Sequence, residues 1–468
     1  MITRRTFLHQ SSSLFGAAAL SPPLSTLVSD MHHPTPSPFK IATVDSNFER
    51  EALARPFGFK GGAITEVWQT VARLQDDAGR HRIGLGTQSV LWSDSRVSAR
   101  HSENGGNALM YAMSEYALQA SKGQTFSSPI EMVDALLEEV LTYGKNITGQ
   151  ADLRKTFALN AMVGLDNAAW LLYADANGFT TFDEMIPGDY QAGLPHRHTQ
   201  VASIPALGYG TSMDTIKELA DQGFFIMKIK IGAPGTQSEM LAKDIAFLEA
   251  IHQTIGHYET PHTPSGKIPY YFDANGRYED QDTLHRFLDH AEKIGALSSI
   301  AVMEEPFGEH NQEDVSSLAA RGPRIAADES AHTDEDALAR MEQGYNCIAL
   351  KAIAKTLSMT LKIAELAEQR NVPCFCADLT VNPLLVDWNK CVAARLRPFP
   401  DLPLGLQETN GWQNYRDWND MRKRHPQGFA DWTHSRNGVY ELQEDFYQQS
   451  AGIFDQSPHY EAMFSSKK

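Results

Sequence analysis

Residues 224–232 read FFIMKIKIG, and the fold turns on where the two lysines point. In a strand, residues two apart share a face. Phe225, Met227, Ile229 and Ile231 then form one apolar face, and Ile226, Lys228 and Lys230 share the other. On a surface strand both ammonium groups stand in water. Inside a barrel they repel and desolvate each other, which lowers the second lysine's pKa from about 10 toward that of a working base. The chain on either side decides between the two.

Around this stretch, short strands alternate with amphipathic helices. Strands are predicted at 201–206, 224–232, 269–274, 300–304, 324–328, 347–351, 373–378 and 403–407. Between them lie helices such as 356–370, with Leu357, Leu361, Ala364, Leu366 and Ala367 on one stripe. Eight strands in this rhythm predict a parallel (β/α) barrel. The piece 257–267 breaks the rhythm and reads as a surface insertion.

A polar or charged residue recurs where strand after strand ends: Asp273, Glu304, Asp328, Lys351, Asp378 and Glu408, separated by 31, 24, 23, 27 and 30 residues. Each step is one strand-helix unit, and such barrels carry their sites at the C-terminal strand ends. A lone acid there is ordinarily a helix N-cap. Three acids and then a lysine, in step, point to a site. Carboxylates from three neighbouring strands repel one another unless a cation bridges them, and oxygen-only ligands suit magnesium or manganese rather than zinc. Such an ion offsets the charge that appears when a carbon beside a carboxylate loses its proton. Lys230 and Lys351, on the second and sixth strands, stand across the barrel, so that one can remove a proton and the other deliver it to the opposite face.

Upstream, 63–75 and 81–91 read as strands joined by a turn at 76–79, followed by helices at 106–120, from Pro129 onward, and at 157–174. Ser128 with Glu131 reads as a capping box, and Asn177-Gly178 as a helix stop. This is an α+β cap. Its segment 92–107, with Arg96, Arg100 and His101, reads as a polar loop: a lid over a site or an ordinary surface loop.

At 468 residues the chain exceeds one ordinary core, in keeping with a barrel plus an accessory domain. A formal charge of −17 argues against a nucleic-acid partner. The four cysteines form no CxxC pair, and Cys374 and Cys376 read as small barrel-filling residues. Near the N-terminus, Arg4-Arg5 with Phe7-Leu8 precedes a mild apolar run at 14–20. This resembles a twin-arginine export signal, so residues 1–38 are read as signal and linker and the product as periplasmic. The apolar run is too short to span a bilayer, and no membrane association is expected once the signal is removed.

The ordered words KIK (228–230), FDAN (272–275), MEEP (303–306), ADES (327–330) and LK (350–351), with GLDNAAWLLYA (164–174) in the cap, resemble the enolase superfamily, in its muconate lactonizing and dipeptide epimerase branch. The resemblance implies a modified (β/α)7β TIM-type barrel at 196–410, an α+β N-terminal capping domain at 39–195, and a C-terminal segment, 411–468, returning to the cap. It implies Mg, with Mn as the alternative, held by Asp273, Glu304 and Asp328, and Lys230 and Lys351 as acid and base. Lys228 would tune Lys230, and Asn275 would sit near the metal. It also implies a homo-oligomer.

Lys351 rather than Lys355 continues the inward parity of Cys347 and Ala349. A mandelate-type histidine base on the seventh strand has no counterpart, since no histidine occurs between Lys351 and Arg424. Asp378 and Glu408 would rim the substrate pocket, either meeting a cationic or amide-bearing group or serving as a helix cap or salt bridge. The expected activity is a racemase or epimerase acting beside the carboxylate of a dipeptide or N-acyl amino acid. The alternatives are a cycloisomerase, a syn-dehydrating lyase, or an exported carboxylate-binding protein.

Overall fold

The computed structural model describes residues 36–59 and 62–465. The expected export signal lies outside them. Strands β1 (Thr43–Phe59), β2 (Gly62–Gln75) and β3 (His81–Gln88) make an antiparallel sheet in that order. Helices α1 (Glu103–Ser121), α2 (Pro129–Thr148) and α3 (Lys155–Asn177) cover it. Every residue of α3 from Thr156 to Ala174 is buried, as a helix apolar on all sides requires. It ends at Gly178 with φ +70°, a left-handed stop.

Two local readings change. The segment 92–107 is largely helical: Val90–Ser93 and Ser95–Arg100 are short helices, and α1 begins at Glu103. The polar residues that read as loop are caps, with Asp94 accepting from Arg96 N and Ser102 from Gly105 N. Asp94 and Asp152 also hold the Arg96 guanidinium at 2.7 and 2.5 Å. At Ser128 the hydroxyl caps Glu131 N, but the Glu131 carboxylate turns to Ser127, so the reciprocal box does not form.

Strand β4 (Gln200–Ile204) continues past Pro205 as β5 (Ala206–Leu207). The remaining barrel strands are β6 (Met227–Lys230), β7 (Tyr270–Asp273), β8 (Ile300–Glu304), β9 (Arg324–Ala327), β10 (Cys347–Leu350), β11 (Cys374–Cys376) and β12 (Gly405–Glu408). Each pairs in parallel with the next. β12 pairs with β4 and β6 with β5, so the strand broken at Pro205 closes the ring. Seven helices, from Met213–Asp221 to Pro383–Ala393, lie between the eight strand positions. A hairpin, β13 (Ser435–Arg436) and β14 (Val439–Glu441), adds antiparallel to β4. The fold is a TIM-type barrel with an α+β cap, and all four cysteines are buried and free.

Chain beyond the barrel meets the cap. Arg424 reaches Glu49 at 2.8 Å and also Glu51. His459 reaches Glu49 at 2.7 Å, and Asn47 donates to the Met463 carbonyl at 3.0 Å.

Candidate active site

Strand register sets the site before any side chain is considered. Lys230, Asp273 and Glu304 are paired residues on β6, β7 and β8 and stand at one height. The next residues turn sharply. Asn275, Glu305, Thr356 and Thr380 all have positive φ (46°, 39°, 71° and 60°) and all lie in loops at this end of the barrel. Non-glycine residues in this region cost about 1–3 kcal/mol each and gather at functional sites.

Lys228 and Lys230 both turn toward the barrel mouth, but not as two bare charges facing each other. Asp273 meets both, with Oδ2 3.0 Å from Lys228 Nζ and 2.5 Å from Lys230 Nζ. The two ammonium groups share one carboxylate between them. Lys230 also donates to Asn275 Oδ1 at 2.7 Å, and Asn275 Nδ2 donates to Glu329 at 3.1 Å. Lys228 further meets Glu304 at 2.8 Å and Glu408 at 3.2 Å. Burial disfavours its charge, yet the three carboxylates hold its pKa well above the ordinary lysine range. Glu304 is also met by the Tyr271 hydroxyl, which shares the inward face of β7 with Asp273. Burial and the neighbouring Asp273 push the Glu304 carboxyl well up.

Across the barrel, Lys351 Nζ lies 2.6 Å from Asp328 Oδ2. Burial works against its ammonium, but Asp328 raises its pKa above the ordinary value. Lys355 takes a different position, donating to the Asp328 and Ala331 carbonyls at 2.7 and 2.9 Å. Trp92 of the cap lays its ring 4.1 Å from Lys351 Nζ. The helix Val90–Ser93 that carries it was the part of the cap least legible in the sequence.

Asp378 and Glu408 sit together at the rim. Asp378 accepts from Asn410 N at 2.8 Å and Leu379 N at 2.7 Å. Glu408 accepts from Asp378 N at 3.1 Å and Asn410 Nδ2 at 3.0 Å. Burial and the charge of Glu408 raise the Asp378 pKa to about 7. Both acids thus brace the loops after β11 and β12. Lys228, Lys230, Asn275, Asp328, Lys351, Asp378 and Glu408 all line one cavity of about 50 Å³, which the cap closes with Phe57, Ile64, Leu91 and Trp92.

Asp273, Glu304 and Asp328 are a donor set for a hard, oxygen-seeking dication. Asp328 Oδ1 is buried and accepts no hydrogen bond, with Lys355 Nζ at 3.6 Å. As the side chains stand, however, no three acidic, histidine or cysteine residues among those described are gathered to hold one ion. Asp273 and Glu304 are turned to Lys228, and Asp328 to Lys351. Donor chemistry fits a cation, while these side-chain positions satisfy the carboxylates with lysines.

Residues 212–401 match the family model described as Enolase C-terminal domain-like. No curated protein matches the chain in sequence. Among solved structures, a mandelate racemase/muconate lactonizing protein from Herpetosiphon aurantiacus is similar at TM-score 0.60 and 16% identity, over 86% of this chain and 96% of that one. A dipeptide epimerase from Enterococcus faecalis, complexed with Mg and the dipeptide L-Leu-L-Tyr, gives 0.54 and 18%, over 79% and 90%. An L-talarate dehydratase from Polaromonas, complexed with Mg and L-glucarate, gives 0.57 and 18%, over 80% and 88%. At such identities the likeness is one of fold. Residues 212–401 are thus similar to the Enolase C-terminal domain-like family, and cap and barrel together share the fold of these solved structures.

Proposed function

We propose that this chain is a racemase or epimerase that moves the proton on the carbon beside a carboxylate, in a dipeptide or N-acyl amino acid. One observation carries the reading: Lys230 and Lys351, from the second and sixth strand positions, line the same cavity. Asp273, Glu304 and Asp328 would hold magnesium, which supplies positive charge beside the substrate carboxylate when bound. Lys351, kept as an ammonium by Asp328, is charged to donate a proton, and in that direction Lys230 accepts one from the opposite face. Lys228 keeps the acids around it paired. Trp92 and the apolar cap residues exclude water from the lysines. Cap, barrel and returning tail correspond on this reading to 39–195, 196–410 and 411–468. The N-terminal twin-arginine pattern supports export to the periplasm.

Exchange of the α-hydrogen with deuterated water, with and without magnesium, tests the reaction. Lys230→Ala or Lys351→Ala is expected to lower exchange from the face that each lysine serves by ~100-fold or more. Full two-sided exchange in either variant refutes the two-base scheme. The dehydratase among the structural neighbours makes product mass a required readout, since an epimer keeps the substrate mass and dehydration loses water.

A further inference from the structure

Past Lys351 stands a further lysine that the proposed reaction leaves without a task. Lys355 is buried, and its backbone N–H donates to the Lys351 carbonyl at 2.8 Å, so the two lysines lie one turn apart. Both grip the same residue. Lys351 Nζ meets Asp328 Oδ2 at 2.6 Å, while Lys355 Nζ donates to the Asp328 main-chain carbonyl at 2.7 Å and to that of Ala331 at 2.9 Å. From the other side, Glu305 accepts from Asp328 N at 2.7 Å and from Ser330 Oγ at 3.0 Å. The loop 328–331 is held through its carbonyls by a lysine and through its donors by a carboxylate, and Asp328, Ser330, Glu305 and Lys355 are all buried. Buried main-chain groups need such partners.

The consequence falls on the Asp328 carboxylate, whose two oxygens are treated unequally. Oδ2 is taken by Lys351. Oδ1 is buried and accepts no hydrogen bond, and Lys355 Nζ, tied to the two carbonyls, stops 3.6 Å from it, beyond hydrogen-bond reach. A closer approach would satisfy that oxygen as well. With its main chain fixed on both sides and one oxygen engaged, the carboxylate has little freedom to turn Oδ1 away. Lys355 is set in turn by the helix Leu357–Gln369 that follows it, whose Leu357 and Ser358 N–H groups donate to Asp166 of the cap at 2.8 and 3.2 Å.

We propose that Lys355 is a positioning residue for a divalent cation: with Glu305 it holds the 328–331 loop so that Asp328 Oδ1 is left unpaired and presented to the ion. The inference rests on the metal part of the proposed function and not on the identity of the substrate. Groups that orient a metal ligand change metal affinity by about 10- to 100-fold when they are removed.

Binding of Mn(II), followed by electron paramagnetic resonance at a temperature where every variant is folded, tests it. Lys355→Met is expected to weaken manganese binding about tenfold or more. Lys390→Met supplies the comparison. Lys390 is an equally buried lysine, held by Asp387 and the Trp432 carbonyl and not among the residues lining the cavity. Its loss should lower stability and leave manganese affinity unchanged. Should Lys355→Met not fold, Ser330→Ala, which cuts one bond from the loop to Glu305, is expected to weaken binding roughly threefold. Wild-type affinity in Lys355→Met, or in Ser330→Ala where it stands in, overturns the proposal. So does an equal loss in Lys390→Met, or no manganese binding by the wild-type protein. Manganese binding that Lys355→Met weakens, in a wild-type protein that exchanges no substrate α-hydrogen, would remove the proposed reaction and leave the role of Lys355 in place.

Discussion

Lys228 is buried among Asp273, Glu304 and Glu408, and the ammonium is the charge common to all three acids. Removing one partner of such a group leaves the others uncompensated in a poorly hydrated place. Lys228→Met is therefore expected to lower stability by about 3–5 kcal/mol, read as a shift of the urea midpoint. A second buried acid gives a prediction in pH. Asp166 of α3 accepts from Leu357 N at 2.8 Å and Ser358 N at 3.2 Å, capping a barrel helix from the cap. Burial raises its pKa to about 7, against the pull of those donors. The unfolded carboxyl titrates near 4, so the folded protein binds this proton more tightly. Asp166 therefore makes stability fall as pH rises from about 4 to about 7, by an amount on the order of a few kcal/mol. Asp166→Asn should flatten that stretch in denaturation curves taken across the range. Which residues reach the barrel mouth was legible from spacing. Which partner each one takes was not, because in a low-dielectric site the whole set of charges decides each pairing.

At the scale of elements, β3 and α3 approach until backbone meets backbone. A Cβ at Gly84 would stand 2.2 Å from both Ala168 N and the Gly164 carbonyl oxygen. Gly84→Ala must push the helix off the sheet and is expected to cost at least about 1–3 kcal/mol, visible as a lowered melting temperature. The eight barrel strands were legible because a strand buried on both faces is a short apolar run between turns. The helices at 90–93 and 95–100 were not. Each is too short for a period to show, and their polar residues act as caps and as anchors for Arg96.

Across the whole molecule, cap, barrel and tail share buried polar contacts. Asp166 joins α3 to the barrel helix Leu357–Gln369, Gln69 of the cap meets Tyr415 at 2.7 Å and Asn382 at 3.0 Å, and Arg424 closes on Glu49 and Glu51. With ties this dense, cap and barrel are expected to unfold together. Tryptophan fluorescence and far-ultraviolet circular dichroism should then trace one coincident transition, and separated midpoints would show the cap melting alone. By itself the sequence determined the barrel, the helical cap over it and the residues carried to the strand ends, because strand parity and repeat length act locally along the chain. Tertiary structure alone decided that Asp273 stands between two lysines, that the Tyr271 hydroxyl meets Glu304, and that Trp92 of the cap lies against Lys351. Those outcomes depend on how distant segments divide charge and space, which no local pattern encodes.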